Sequence, residues 1–167
     1  MPKNIASENI EIPKAYNALE RRAIARDVIE YVRKRTKDGK GENNQPWKGS
    51  ASKYSSSYQK SLDFKLKADK GKVNLTLSGD MLTAIDMLQN KKGKIQIGIP
   101  FGAQEWGRAK GNILGSYGKS PNPSKERPFL KISKNEIKEI LKSYPLGQNR
   151  EENLDKLKTQ DKILKES

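Results

Sequence analysis

The stretch AYNALERRAIARDVIEYVRKRTK, residues 15–37, has the residue spacing that decides the fold. Ile24, Val28 and Tyr31 recur at intervals of four and three, so they share one side of an α-helix. Three further apolar residues widen that side: Ala25, Ile29 and Val32. The pattern predicts a long helix that buries one face against the rest of the chain and ends at the Asp-Gly pair that follows.

Alternating apolar residues predict strands on the C-terminal side of this helix. Residues 62–78 contain two such runs around the turn sequence DKGK, which is typical of a β-hairpin. A third run, KIQIGI, occupies residues 94–99 and is closed by Pro100. We expect one small, mostly antiparallel sheet packed on the long helix. The residues expected in the core are Leu62, Phe64, Leu66, Val73, Leu75, Leu77, Ile95 and Ile97.

Two shorter helices complete the predicted fold. Ser78 and Asp80 suit the first turn of a short middle helix. Its apolar stripe consists of Met81, Ile85 and Leu88. Ser133 and Glu136 match a capping box, which predicts a C-terminal helix before Pro145. The predicted fold class is therefore α+β.

The remaining segments are polar and rich in glycine or charge. We expect residues 1–14 and 148–167 to form extended terminal arms around a single domain, residues 15–147. Within that domain, residues 38–60 and 108–126 have the composition of loops. Isolated apolar residues recur in these segments, which favours adhesion to a partner over disorder.

Composition excludes several kinds of chemistry. The 167 residues include no cysteine and no histidine. Disulfides, thiolate and imidazole metal ligands and nucleophile–histidine pairs are therefore excluded. Hydrophobic residues make up only 33% of the chain, which favours a small core that completes its burial against neighbouring subunits. We expect neither a cofactor nor an enzymatic activity.

The triplet Gly118-Lys119-Ser120 matches the end of a phosphate-binding loop, but its setting does not. Ile113 stands where that motif requires glycine, and Pro121 follows where a helix must begin. The glycines of this segment instead permit turns that present apolar side chains to a partner. Those side chains are Ile113, Leu114 and Tyr117.

The net charge of +14 suggests a nucleic-acid partner, but its distribution favours solvated surface charge. The excess lies in residues 15–133 rather than in a terminal tail. The clusters Arg33-Lys34-Arg35 and Lys91-Lys92 are not interleaved with aromatic residues that could stack on bases. A basic nucleic-acid-binding protein stays open as an alternative function.

A small metal-dependent nuclease is a weaker alternative. Its candidate ligands are Asp63, Asp69, Asp80, Asp86 and Glu105. Turn or helix-start roles account for several of these carboxylates, among them Asp69 and Asp80. No metal site is therefore expected.

The order of these signals resembles the virion-morphogenesis and tail-completion proteins of tailed bacteriophages. The resemblance covers roughly residues 15–145. It includes the long helix, residues 47–60 and four short motifs. These motifs are LTLSGDMLTAIDML from Leu75, KIQIGI from Lys94, AQEWG from Ala103 and RPFLKIS from Arg127. Glu105 stands where relatives often have a histidine.

This resemblance implies a structural subunit of the phage neck, which joins the tail to the head in a ring of identical copies. The implied partners are other copies of the chain and the connector and tail terminator proteins, with possible proximity to genomic DNA. The implied location is the virion neck or tail, and the host cytoplasm during assembly. The residues expected to bind partners are Trp47, Tyr54, Trp106, Ile113, Leu114, Tyr117, Arg127 and Phe129.

Overall fold

The computed structural model describes residues 3–54, 60, 73, 75, 80–116 and 120–166. Within these residues it contains three strands and five α-helices, which confirms the α+β class. In chain order they are β1 (Ser7–Glu11), α1 (Ala18–Lys37), α2 (Asp80–Thr83), β2 (Asp86–Lys91), β3 (Lys94–Gly98), α3 (Trp106–Leu114), α4 (Lys134–Leu141) and α5 (Arg150–Glu166).

The long helix α1 begins at a capping box and ends in basic residues. The Asn17 side chain accepts a hydrogen bond from the Glu20 N–H, and the Glu20 carboxylate accepts one from the Asn17 N–H. Lys34, Arg35 and Lys37 lie in the last turn, where positive charge complements the helix dipole. The predicted apolar face is buried, including Ala25, Ile24, Val28, Ile29 and Val32.

The sheet is antiparallel in the order β1-β3-β2, so β3 is its central strand. Ile95, Ile97 and Ile99 are fully buried, as the alternation in KIQIGI predicts. The first strand was not predicted: residues 7–11 pair along β3, and Ile10 and Ile12 are buried. The prediction of a terminal arm is therefore wrong for residues 7–11, which belong to the sheet. No local signal marks this strand, because its partner strand lies about 85 residues away in the sequence.

The predicted middle helix is also shorter than expected. It ends at Thr83, and residues 86–91 form β2 instead of continuing to Leu88. Arg33 donates to the carbonyls of Leu82, Thr83 and Ile85, which satisfies acceptors at the end of α2. A turn at residues 92–93 then folds the chain back onto β3.

The predicted hairpin at residues 62–78 lies outside the described residues, except for Val73 and Leu75, which are buried. The remaining predicted sheet partners therefore stay a prediction. Among the residues that the structure describes, no helix has the length and hydrophobicity needed to cross a membrane.

Two segments, one predicted as a loop and one as a terminal arm, are helical. Residues 106–114 form α3, which Gly115 ends in a left-handed conformation (φ 64°). The expected loop is thus wrong for residues 108–114. Gly111, Gly115 and Gly118 suggested turns, but Gly111 lies buried inside the helix. Residues 150–166 form α5, which packs on α1 with Leu157 buried. The C-terminal segment is therefore helical rather than extended.

Candidate docking site around Trp106

The chain leaves β3 in close contact with the N-terminal segment. The Ile99 N–H donates to the Ala6 carbonyl at 2.8 Å. A Cβ atom on Gly98 would lie 2.2 Å from the same carbonyl oxygen, a distance that no side chain tolerates. Glycine at position 98 therefore lets the two segments approach and fixes where the following loop begins.

Asn4 connects this strand end to α3. Its Nδ2 donates to the Ile99 carbonyl at 2.9 Å. Its Oδ1 accepts from the Ala6 N–H at 2.9 Å and from the Trp106 indole Nε1 at 2.8 Å. One asparagine thus holds the indole in a fixed position beside the loop.

The Trp106 patch comprises Phe101, Trp106, Arg108 and Lys110. Phe101 is 53% exposed, and its ring centroid lies 5.1 Å from that of Trp106 with the planes tilted by 35°. The Lys110 ammonium lies 5.5 Å from the indole centroid, within range of a cation–π contact. Arg108 extends its exposed side chain and binds the Glu105 carboxylate at 3.1 Å.

Aromatic rings beside arginine are the surface composition enriched at protein interfaces. The rings of the patch can be covered by a partner, and the cations can pair with its carboxylates. Phe101 was not predicted as a site residue, although its place between Pro100 and Gly102 at the end of a buried strand suggests an exposed turn.

The predicted residues further along α3 lie partly inside the molecule. Ile113 is partly buried and packs against the core, and Leu114 is also partly buried. Tyr117 lies outside the described residues. Partner contacts by these three residues stay a prediction.

Arg127 is buried and holds three segments together. Its Nε donates to the Ala51 carbonyl at 2.8 Å and its Nη2 to the Lys53 carbonyl at 3.0 Å. Its Nη1 donates to the Asn112 Oδ1 of α3 at 3.3 Å, and its guanidinium lies 5.3 Å from the centre of the Tyr54 ring. These contacts give Arg127 an internal role in positioning residues 51–54 against α3.

The other predicted aromatic residues also have internal contacts. Phe129 is fully buried in the core. The Trp47 indole donates to the Val73 carbonyl at 3.1 Å, and the Tyr54 hydroxyl accepts from the Leu75 N–H at 3.3 Å. The structure therefore brings Tyr54 and Arg127 together inside the molecule, whereas Trp47 is bound to Val73.

A buried ion pair, which the sequence did not predict, joins α1 to α4. Arg35 is 2% exposed, and its Nη1 lies 2.6 Å from the Glu136 Oε2. Its Nη2 also donates to the carbonyls of Phe129 and Lys131. The interpretation of Arg33-Lys34-Arg35 as solvated charge is therefore wrong for Arg33 and Arg35. Their positions on the predicted helix were the one sequence signal for these internal contacts.

The environment of Glu136 favours its ionised form. Burial opposes ionisation, but hydrogen bonds from Tyr31, from the N–H groups of Asn43 and Ser133 and from Arg35 outweigh it and lower the pKa of Glu136. Burial and the bond to this carboxylate raise the pKa of Tyr31 to about 12. The pair is thus charged at neutral pH and lies beside a shallow groove of about 420 Å³ between α1 and α4.

The carboxylates considered for a nuclease do not form a metal site in the described part of the chain. No group of three or more Asp or Glu side chains there could hold a metal ion. Asp80 and Asp86 are exposed, and Glu105 pairs with Arg108. Asp63 and Asp69 lie outside the described residues.

Comparison of the chain with protein-family models, with curated proteins and with solved structures returns no match in any of the three.

Proposed function

We propose that this chain is a structural virion protein of a tailed bacteriophage, a neck or tail-completion subunit that joins the tail to the head within a ring of copies. The observation that carries the proposal is the order of the four motifs that begin at Leu75, Lys94, Ala103 and Arg127. The role proposed for the chain is assembly, not catalysis.

The surface chemistry supports this role. The third motif, AQEWG, includes Trp106, and the exposed ring of Phe101 lies beside it. In a ring, each subunit presents the same surface to its neighbour, so a single patch contributes once per subunit. We assign the Trp106 patch to the contact with a neighbouring virion protein.

The proposal is tested first by the composition of the virion. In particles purified from the phage that encodes this chain, mass spectrometry is expected to detect the protein in a small, fixed copy number. Portal, capsid and tail-tube genes are expected beside its gene. Absence of the protein from washed virions would overturn the proposal.

The docking role is tested by replacing Phe101 with serine in a phage that depends on the variant. We expect filled heads and separate tails by electron microscopy, because an exposed ring contributes to association and not to folding. The matched control is Ile163→Ser, which removes another exposed apolar side chain (60%) on α5. Normal particles from the Phe101 variant, or equal defects in both variants, would contradict a specific role of the patch.

A further inference from the structure

Four lysines converge where β1, β2 and β3 meet the start of α1, and we name this cluster the basic tip. It comprises Lys14, Lys91, Lys92 and Lys94. Lys91 and Lys94 are direct cross-strand partners in the β2–β3 pair. Lys92 lies between them in the turn and is exposed, as are Lys91 and Lys14.

Backbone and side-chain contacts hold the tip in place. The Ile12 N–H donates to the Gly93 carbonyl at 3.1 Å, and a Cβ atom on Gly93 would lie 2.9 Å from the Lys14 Cγ. The stem of Lys14 therefore crosses the turn. Asn90 donates to the Ala18 carbonyl at 3.3 Å, which fixes the same turn to the start of α1.

Within the described part of the chain, no ion pair neutralises the positive charge of the tip. Among the residues that the structure describes, none of the four lysines lies within 4.0 Å of a carboxylate. The adjacent acidic residue is Glu11, which stands opposite Lys94 in the β1–β3 register. Arg21 adds a further cation and is bound to Asn90.

We propose that the basic tip binds the phosphate backbone of duplex DNA without reading its sequence. Lysine is depleted at protein interfaces, where arginine and aromatic residues are enriched, so the composition of the tip is unlike that of the Trp106 patch. Phosphate contacts, in contrast, need mobile positive charges and little apolar area. Such contacts position a protein on the duplex and carry no base specificity.

The tip and the Trp106 patch lie at opposite ends of β3. Ile99 lies five residue steps after Lys94, which corresponds to about 16 Å along a strand. One subunit can therefore contact a protein neighbour at one end and nucleic acid at the other. The inference goes beyond the neck assignment and does not depend on it, since purified protein and DNA are sufficient for the test.

The test measures binding to a fluorescent 30-base-pair duplex by anisotropy between 50 and 200 mM KCl. The tip variant carries K14Q, K91Q, K92Q and K94Q. The matched control carries K134Q, K138Q, K158Q and K162Q, which are exposed lysines of α4 and α5 that form no ion pair within the described residues. Both variants lower the net charge from +14 to +10, so a general charge effect is the same in each.

We expect the salt dependence of the tip variant to be shallower by about 3 to 4 logarithmic units per decade of salt, at about 0.9 per phosphate contact. Between 50 and 200 mM KCl, four phosphate contacts would reduce the affinity of the wild type by about 150-fold more than that of the tip variant. The control is expected to keep the wild-type slope. Equal losses in both variants, or a wild-type slope in the tip variant, would overturn the proposal.

A competitor separates DNA from an acidic protein surface. Polyglutamate at the same charge concentration is expected to displace the duplex weakly. If polyglutamate instead displaces it as well as unlabelled duplex does, and the tip variant loses both ligands, the tip recognises acidic protein and the DNA proposal fails.

Discussion

Glu136 and Arg35 form the ion pair that joins α4 to α1, and its loss is expected to destabilise the fold strongly. The informative substitution is Glu136→Gln, which removes the negative charge and keeps the size of the side chain. Arg35 would then remain buried, with its side chain 1% exposed, and without a countercharge. The substitution therefore tests whether the pair stabilises the helix contact.

The expected cost follows from the contacts that remain. Removing one partner of a buried ion pair costs about 3–5 kcal/mol, because the other charge is left uncompensated. The carbonyls of Phe129 and Lys131 still accept hydrogen bonds from Arg35, which favours the lower end of this energy range. We expect the free energy of unfolding to fall by about 3 kcal/mol. In the double variant Glu136→Gln with Arg35→Met, the loss of stability should be about 2 kcal/mol smaller than the sum of the two single losses.

The measurement is urea unfolding at pH 7, followed by circular dichroism, for wild type, both single variants and the double variant. The control is Glu139→Gln, which breaks the exposed pair between Glu139 and Lys142 and should cost less than about 1 kcal/mol. If Glu136→Gln costs no more than this control, or if the double variant is additive, the buried pair does not stabilise the contact and our reasoning is wrong.

Two further predictions concern the same framework. Because the pKa of Glu136 is lowered in the folded protein, the stability it contributes should be complete above its unfolded pKa of about 4.3 and should disappear as the pH falls through the lower folded value. Thermal melts of wild type and Glu136→Gln should therefore converge below about pH 4; a constant difference down to pH 2 would contradict the assignment. Gly98→Ala should lower the free energy of unfolding by about 1–3 kcal/mol, because its Cβ would meet the Ala6 carbonyl at 2.2 Å. Gly107→Ala has nothing within 4 Å of its Cβ and should be neutral or stabilising, so equal melting temperatures for the two alanine variants would argue against the close approach.

Local signals predicted the parts of the fold that local interactions form. The apolar period of α1 and the alternation in β3 each reflect a single buried face, so they are visible within a few residues. The capping box of α4 is equally local, since Ser133 and Glu136 bind each other's backbone. Strand β1 could not be found in this way, because it is defined by its pairing with β3.

Ambiguous spacing explains the errors at β2 and α3. Met81, Ile85 and Leu88 fit a helix, but residues 86–91 also fit a strand once a turn returns them to β3. In α3 the glycines conceal a helix whose buried side needs small residues such as Ala109 and Gly111. The candidate site was predicted in part: Trp106 was named, whereas Phe101 and Asn4 depend on contacts between distant segments.

Arginine and lysine have different roles in this chain, and that difference limits what the net charge of +14 indicates about partners. In the described part of the chain, at least five arginines donate to backbone carbonyls, and their planar groups satisfy acceptors at helix ends and loops. These are Arg21, Arg33, Arg35, Arg127 and Arg150. The basic tip consists of lysine, whose compact charge stays hydrated. Counting all cations alike therefore overstates the surface charge and conceals where it is concentrated. We therefore expect charge that binds a partner in lysine clusters without ion pairs. The matched lysine variants separate the effect of such a cluster on DNA binding from the effect of net charge.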